Sequence, residues 1–356
     1  MYKKLFTSEQ VSCGHPDKIA DQIADAILDE AIRQDKMSRV ACEVLIKEKH
    51  IVLAGEITTN ANLDYLKIID FVLKDIGLDG VENYQVENYI SKQSADIAMG
   101  VDTGGAGDQG IMCGYACKET PEKMPLAWTL ATKALIKLRE KKYPFLKPDA
   151  KSQVTIDYTD EENVRIDTFL ISSQHIEAVD YETLHSAIKA VMIETAEEYK
   201  LNTDFTVLIN PTGKFVLGGA DADAGVTGRK IICDSYGGYG RHGGGSFSTK
   251  DPTKVDRSAA YMARHLAKYV VTKGYADKCE VQLAYAIGVA EPVSINVECF
   301  GSETISVENI VNELYNHFDL TPNGIIRYLH LREPIYYKTA SYGHFGKEYL
   351  PWEQIK

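Results

Sequence analysis

Apolar residues recur along this chain in short blocks, and the period changes from block to block. A strand is expected at Lys3–Phe6. Pro16 then suits a first helical position and Asp17 a first turn, and Ile19, Ile23 and Ile27 recur every four residues, predicting a helix that starts at His15 or Pro16. Alternation over Val40–Lys47 and Ile51–Thr59 predicts a hairpin in which Ile46 faces Ile51. A helix at 62–76, with Leu66, Ile69, Leu73 and Ile76 on one side, closes this first round. Periodicity then fades over Ser91–Gly114, which carries five glycines between Gly104 and Gly114 and reads as a lid that also joins domains, or as a linker alone.

The same order returns twice. Helices are expected at Met124–Tyr143 and Tyr181–Tyr199 around strands Gln153–Tyr158 and Val164–Ser172, with a strand at Phe205–Ile209. The third round has a strand at Lys230–Asp234, a helix at Asp256–Lys273, strands at Lys278–Ile287 and Val293–Cys299, and a helix at Val307–Phe318. Three rounds of βαββα imply an α+β fold of three structurally similar units, each a sheet with helices on one face. The expected boundaries are 1–97, a mobile loop or linker at 98–110, 111–217 and 218–356.

Composition narrows the class. A chain of 356 residues exceeds a single core, and 44% hydrophobic with 25% charged residues is ordinary for a globular protein. The net charge of −12 argues against nucleic acid or an anionic membrane as partner. No run of ~20 apolar residues is present, and the start of the chain lacks the apolar core of a signal peptide. The seven scattered cysteines include no C-x-x-C pair and read as reduced thiols in a cytoplasm.

Against that acidic background, local basic clusters are informative. Gly237–Ser258 places six glycines in nine residues and then Arg241, His242, Lys250, Lys254 and Arg257 among Asp251 and Asp256. Glycine admits close backbone approach, and mixed cations and carboxylates suit a polyphosphate with its metal; the other reading is a flexible surface loop. The expected helix N-terminus at His15–Lys18 is either an anion site or a charge-complemented cap with Lys18 in water. In the hairpin, Glu43 opposite Ala54 shares a face with Glu56; two carboxylates there call for a cation or an ammonium group, or lie on a solvated face. Neither G-x-G-x-x-G match, at Gly238 or at Gly105, opens a helix as a dinucleotide site requires, and no Walker A pattern occurs.

Longer motifs decide between these readings. Gly14-His15-Pro16-Asp17-Lys18, Gly55-Glu56-Ile57, Gly105-Ala106-Gly107-Asp108-Gln109-Gly110 and Gly243-Gly244-Gly245-Ser246-Phe247-Ser248 resemble the signatures of the S-adenosylmethionine synthetase family, in its bacterial form. Asp149-Ala150-Lys151, Asn210-Pro211-Thr212-Gly213, Gly228-Arg229-Lys230, Lys254-Val255-Asp256-Arg257-Ser258 and Tyr342-Gly343-His344-Phe345-Gly346 extend the resemblance over nearly the whole chain.

The resemblance implies three units in pseudo-threefold arrangement and attack of the methionine sulfur on the ribose 5′ carbon of ATP. The tripolyphosphate released is hydrolysed to phosphate and pyrophosphate. A thioether needs no general base, so the demand falls on alignment and on stabilising a highly charged leaving group. His15, Lys151, Arg229 and Lys250 are the implied catalytic residues. With Asp149, Lys214, Phe215, Asp223, Lys230 and Ser246 they make the implied ATP site. Glu56, Gln93, Asp223 and Lys254 are implied for methionine, Asp17 and Asp256 for magnesium, and Glu43 for potassium. A homodimer or dimer of dimers with its site shared between subunits is also implied. Two departures stand out: Cys13 occupies a position where the family usually has Glu, and the loop from Gln93 to Gly105 is shorter than in typical bacterial members. Alternatives on the same scaffold are another ATP-using transferase or phosphohydrolase, or a nucleotide-binding regulatory subunit.

Overall fold

The computed structural model describes residues 3–92 and 104–355. Three hairpins organise it: β2 (Arg39–Lys47) with β3 (His50–Thr58), β6 (Leu146–Asp157) with β7 (Arg165–His175), and β10 (Lys278–Tyr285) with β11 (Ser294–Glu298). The first two carry a parallel closing strand, β4 (Gln85–Ser91) beside β3 and β8 (Thr206–Ile209) beside β7.

The opening strand of each round leaves its own unit. β1 (Leu5–Val11) pairs with β6, β5 (Gly110–Cys117) pairs with β10, and β9 (Gly225–Val226) pairs with β2. The sheets therefore run β4-β3-β2-β9, β1-β6-β7-β8 and β11-β10-β5. The expectation that each round makes its own sheet is corrected in this respect: the opening strand of every round completes the hairpin of the next, in a closed cycle that interlocks the three units. Local periodicity predicts strands but carries no information on distant partners, which explains the difference.

Helices cover the inner faces. α1 (Pro16–Gln34) lies on β2 and against α2 (Tyr65–Ile76); α3 (Leu126–Lys141) lies on β6 and β1 with α4 (Tyr181–Glu198) beside it. The third round places α5 (Ile231–Asp234) before α6 (Val255–Thr272), which packs on β5 and β10, and α7 (Val307–His317) and α8 (Pro322–Tyr328) follow. Lys230–Asp234, expected as a strand, holds the short helix α5; the third opening strand is β9, five residues upstream. Four residues are too few for alternation to separate strand from one helical turn. On α2 the buried face is Ile68, Ile69, Val72, Leu73 and Ile76, and Leu66 points to solvent.

One apolar core joins the first and third sheets through α1 and α6, and a second fills the central unit. The two central helices are buried nearly all round, charged residues included. Asp25 of α1 takes two hydrogen bonds of 2.7 Å from Arg257 of α6, so a buried ion pair ties the first round to the third. Arg257 is thereby excluded from phosphate binding, contrary to its place in the basic stretch. Arg241 is likewise engaged, by Glu280 at 2.7 Å.

Candidate active site

His15 caps α1: its Nδ1 accepts the Asp17 backbone N–H at 3.2 Å, which leaves the proton of the neutral ring on Nε2. The ring is buried, and that burial, reinforced by Lys230, lowers its pKa to about 4. Asp17 is buried too. Its Oδ1 accepts the Val226 N–H at 2.9 Å and its Oδ2 meets Lys230 Nζ at 2.5 Å, with Arg229 Nε at 3.7 Å from Oδ1. Burial opposes ionisation of this carboxyl, but the Lys230 ammonium and the Val226 amide outweigh it and hold the pKa below its ordinary value.

The turn carrying Arg229 and Lys230 reaches α1 because residue 225 is glycine. A Cβ there would lie 2.1 Å from the Pro16 carbonyl oxygen. Asp21 then fixes the turn, accepting the Gly228 N–H at 2.9 Å and holding Lys18 through its other oxygen, also at 2.9 Å. Lys18 is fully buried and also donates to Asp234 at 2.6 Å, which corrects its alternative placing in water. Burial pushes the Asp21 carboxyl up to about 7 against the pull of Lys18. Asp21 and Asp234 were absent from the sequence reading. Asp21 could have been found, one turn after Lys18 on the same helix face; Asp234 lies 216 residues away and leaves no local signal.

Asp149 and Lys151 arrive on β6, where Lys151 lies between Val11 of β1 and Ser172 of β7. Asp149 Oδ2 accepts the Gly219 N–H at 2.7 Å, and its buried Oδ1 has no partner among the described residues. Burial raises its pKa, against Gly219 and Lys151 and with Asp223. Lys151 and Asp223 also act electrostatically on His15, so these groups form one cluster with Asp17, Arg229 and Lys230. Phe215 abuts Gly218, next to Gly219, but Lys214 points outward to Glu177 at 2.9 Å with both side chains largely exposed. Nothing draws Lys214 into the cluster.

A second cluster lies further along β2. Lys250 bridges Ala41, which pairs in turn with Glu56 of β3. Lys250 Nζ meets Asp256 at 2.8 Å in the first turn of α6, and the Asp256 carboxylate rests on Gly245, where a Cβ would approach within 2.3 Å. Lys254 is bound to the buried Asp251 and donates to the Val40 carbonyl at 3.2 Å. Between the clusters, Thr227 donates to Glu43, and Ser246 packs beside Gly228. The hairpin register has Glu43 opposite Ala54, as alternation predicted. Gln93 and the rest of 93–103 within the expected lid lie outside the described residues. Among the described residues no group of three His, Cys, Asp or Glu side chains could hold a metal by itself.

Cys13, just before the cap, receives hydrogen bonds from Arg139 Nη1 at 2.5 Å and from the Tyr342 hydroxyl at 3.4 Å. All seven cysteines are free.

Models of the S-adenosylmethionine synthetase N-terminal, central and C-terminal domains match residues 3–95, 103–215 and 217–354. The chain is 53% identical to the S-adenosylmethionine synthase of Mesoplasma florum over 99% of its own length and 98% of that protein's. It is 48% identical to the enzymes of the same name from Mycoplasma capricolum and Mycoplasma mycoides, over 99% of this chain and 95% of each of theirs. The chain belongs to the S-adenosylmethionine synthetase family, metal-dependent transferases that make S-adenosylmethionine from ATP and methionine.

Proposed function

We propose that this chain carries out its family's reaction with the two clusters as the two parts of one site. The observation that carries the reading is the convergence of His15, Asp17, Asp149, Lys151, Asp223, Arg229 and Lys230, from three separate stretches of chain, on the N-terminus of α1. A helix N-terminus with three cations suits the triphosphate, and the unpartnered Asp149 oxygen suits a hydroxyl or amino donor of the nucleoside. The sulfur of methionine attacks the ribose 5′ carbon while Lys151, Arg229, Lys230 and Lys250 stabilise the charge that gathers on the departing tripolyphosphate. His15 donates through Nε2 to a phosphate oxygen. Glu56 and Lys254 address the ammonium and carboxylate of methionine, and Asp223 and Gln93 complete its surroundings.

Asp17 and Asp256 each stand against a lysine, Lys230 and Lys250. Such a pair fits a magnesium polyphosphate, the carboxylate taking the metal and the ammonium the phosphate. Magnesium held there would offset phosphate charge, and potassium would sit at Glu43. The assignment of these two ions is part of the proposal.

A homo-oligomer with shared sites is part of the proposal, and the placing of the clusters supports it. Ala41 and Leu45, which mark the two clusters on β2, are about 13 Å apart along the strand. The sheet face that carries them is exposed, with Leu45 and Tyr89 open to solvent beside Glu43 and Glu56. A two-fold axis through this face would set the α1 cluster of one protomer beside the Lys250–Asp256 cluster of its partner. No described helix is long and apolar enough to cross a membrane. The free cysteines suit the cytoplasm, where we place the protein.

The test is a steady-state assay with ATP, methionine, magnesium and potassium. The expected result is S-adenosylmethionine with equal amounts of phosphate and pyrophosphate, and neither phosphate nor product when methionine is omitted. Phosphate release independent of methionine would favour a phosphohydrolase instead.

A further inference from the structure

The glycine stretch contains one buried polar group that none of the roles above employs. His242 Nδ1 accepts the Gly244 backbone N–H at 2.8 Å. A nitrogen that accepts carries no proton, so the ring is the tautomer with its proton on Nε2. That Nε2 is buried and has no partner among the described residues. An unpaired buried donor is costly, and such a group in a folded protein calls for a partner: a water, an ion or a ligand.

Three observations say which ligand. His242, Gly243, Gly245 and Asp256 line one small cavity of about 10 Å³ with Met112 and Phe247, space for roughly one oxygen-sized group beside the Asp256 carboxylate of the second cluster. Asp256, which lines this cavity with the ring, is paired with Lys250 at 2.8 Å, the pair set out above for metal and phosphate. The ring is also held in place: it packs against Phe247 at 5.5 Å between centroids, and a Cβ on Gly243 would lie 1.5 Å from the Ile111 carbonyl oxygen, so the loop rests directly on β5. A fixed, neutral N–H donor beside an ammonium and a metal-binding carboxylate recognises an oxyanion.

We propose that His242 Nε2–H is a phosphate ligand for the tripolyphosphate chain in the Lys250–Asp256 part of the site. The proposal rests on the reading of Lys250 and Asp256 given above. A neutral donor adds recognition without adding charge, so it holds a phosphate oxygen while leaving the balance between Lys250, Asp256 and the metal unchanged. Its contribution is largest for free tripolyphosphate, the species that must be retained until it is hydrolysed.

The test uses inorganic tripolyphosphate with magnesium as the probe on the full-length protein, by calorimetry, beside turnover with ATP and methionine. His242→Phe keeps a ring against Phe247 and removes the donor; His242→Gln supplies an amide N–H near the Nε2 position. Loss of a hydrogen bond to a charged acceptor predicts tripolyphosphate affinity lowered by about tenfold or more in His242→Phe, with substantial recovery in His242→Gln. Nitrogen chemical shifts of the histidines should show the Nε2 signal of His242 moving on addition of tripolyphosphate. Unchanged affinity in His242→Phe, or equal losses in both variants, would overturn the proposal, and a signal that does not move would assign Nε2 to a bound water. If His242→Phe is silent while Lys250→Ala and Asp256→Asn abolish turnover, only this proposal fails. If those two are also silent, the reading of the second cluster fails with it.

Discussion

Arg257 of α6 and Asp25 of α1 form a fully buried, two-pronged ion pair, each contact 2.7 Å long. Ser248 donates to Asp25, and Arg257 also donates to Thr339, the Tyr261 hydroxyl and the Lys250 carbonyl. Because α1 begins at His15 and Asp17 and α6 begins at Asp256, this pair fixes the spacing between the two clusters. Asp25→Ala leaves a buried guanidinium unpaired and is expected to cost about 3–5 kcal/mol. Urea unfolding of the purified variant checks this, and a loss under 1 kcal/mol would contradict the bracing role.

The approach of β9 to α1 gives a second prediction. A methyl group at residue 225 collides with the Pro16 carbonyl oxygen, so Gly225→Ala must push the Arg229–Lys230 turn away from Asp17. We expect kcat/KM for ATP to fall at least about tenfold, since a displacement of this size disturbs phosphate alignment. Gly213→Ala, where a Cβ meets nothing within 4 Å, serves as the control and should retain activity despite its positive φ.

Lys250→Ala and Asp256→Asn address the second cluster. Each removes one member of a part-exposed ion pair between Lys250 and Asp256, the latter in the first turn of α6. Turnover should fall by about 10²–10³, the scale for losing one group that stabilises transition-state charge, with little change in the melting temperature. Near-normal kcat in either variant would remove that residue from the site.

Histidine burial sets a pH dependence of stability. His265 is held at about 4 by burial, with Nδ1 against the Trp352 carbonyl and Nε2 against the Tyr328 hydroxyl. Its folded pKa lies below the unfolded value, so the unfolded chain binds the extra proton first. The stabilisation is complete above about pH 6.5 and is lost as pH falls toward 4, at about 1.4 kcal/mol per unit. His265→Gln should lack this component. The stability gap between wild type and variant should therefore narrow as pH drops from 7 to 4, and a gap independent of pH would contradict the assignment.

Local features of this fold are legible in the sequence and long-range pairings are not, for physical reasons. Helices α1 and α6 were readable because Ile19, Ile23 and Ile27, or Ala259, Met262, Ala263 and Leu266, repeat at helical spacing and are all buried. The β2–β3 register was readable because the turn at Glu48–Lys49 fixes it locally. The exchange of β1, β5 and β9 among the sheets was not, since a strand's pattern specifies a face and leaves its partner open. Glycine motifs and Asp17 pointed to the site, while Arg257 and Lys18 misled: a cation in a basic stretch reads as a ligand group, and only burial against Asp25, or against Asp21 and Asp234, shows otherwise.

In the proposed dimer each site is assembled from the α1 cluster of one protomer and the Lys250–Asp256 cluster of another. Asp17→Asn and Asp256→Asn, each inactive alone, should be mixed, dissociated and reassociated, and assayed for S-adenosylmethionine. A mixed dimer would contain one intact site, so activity should return to about a quarter of wild type. No activity above that of the separate variants, with mixed dimers shown to have formed, would contradict the claim.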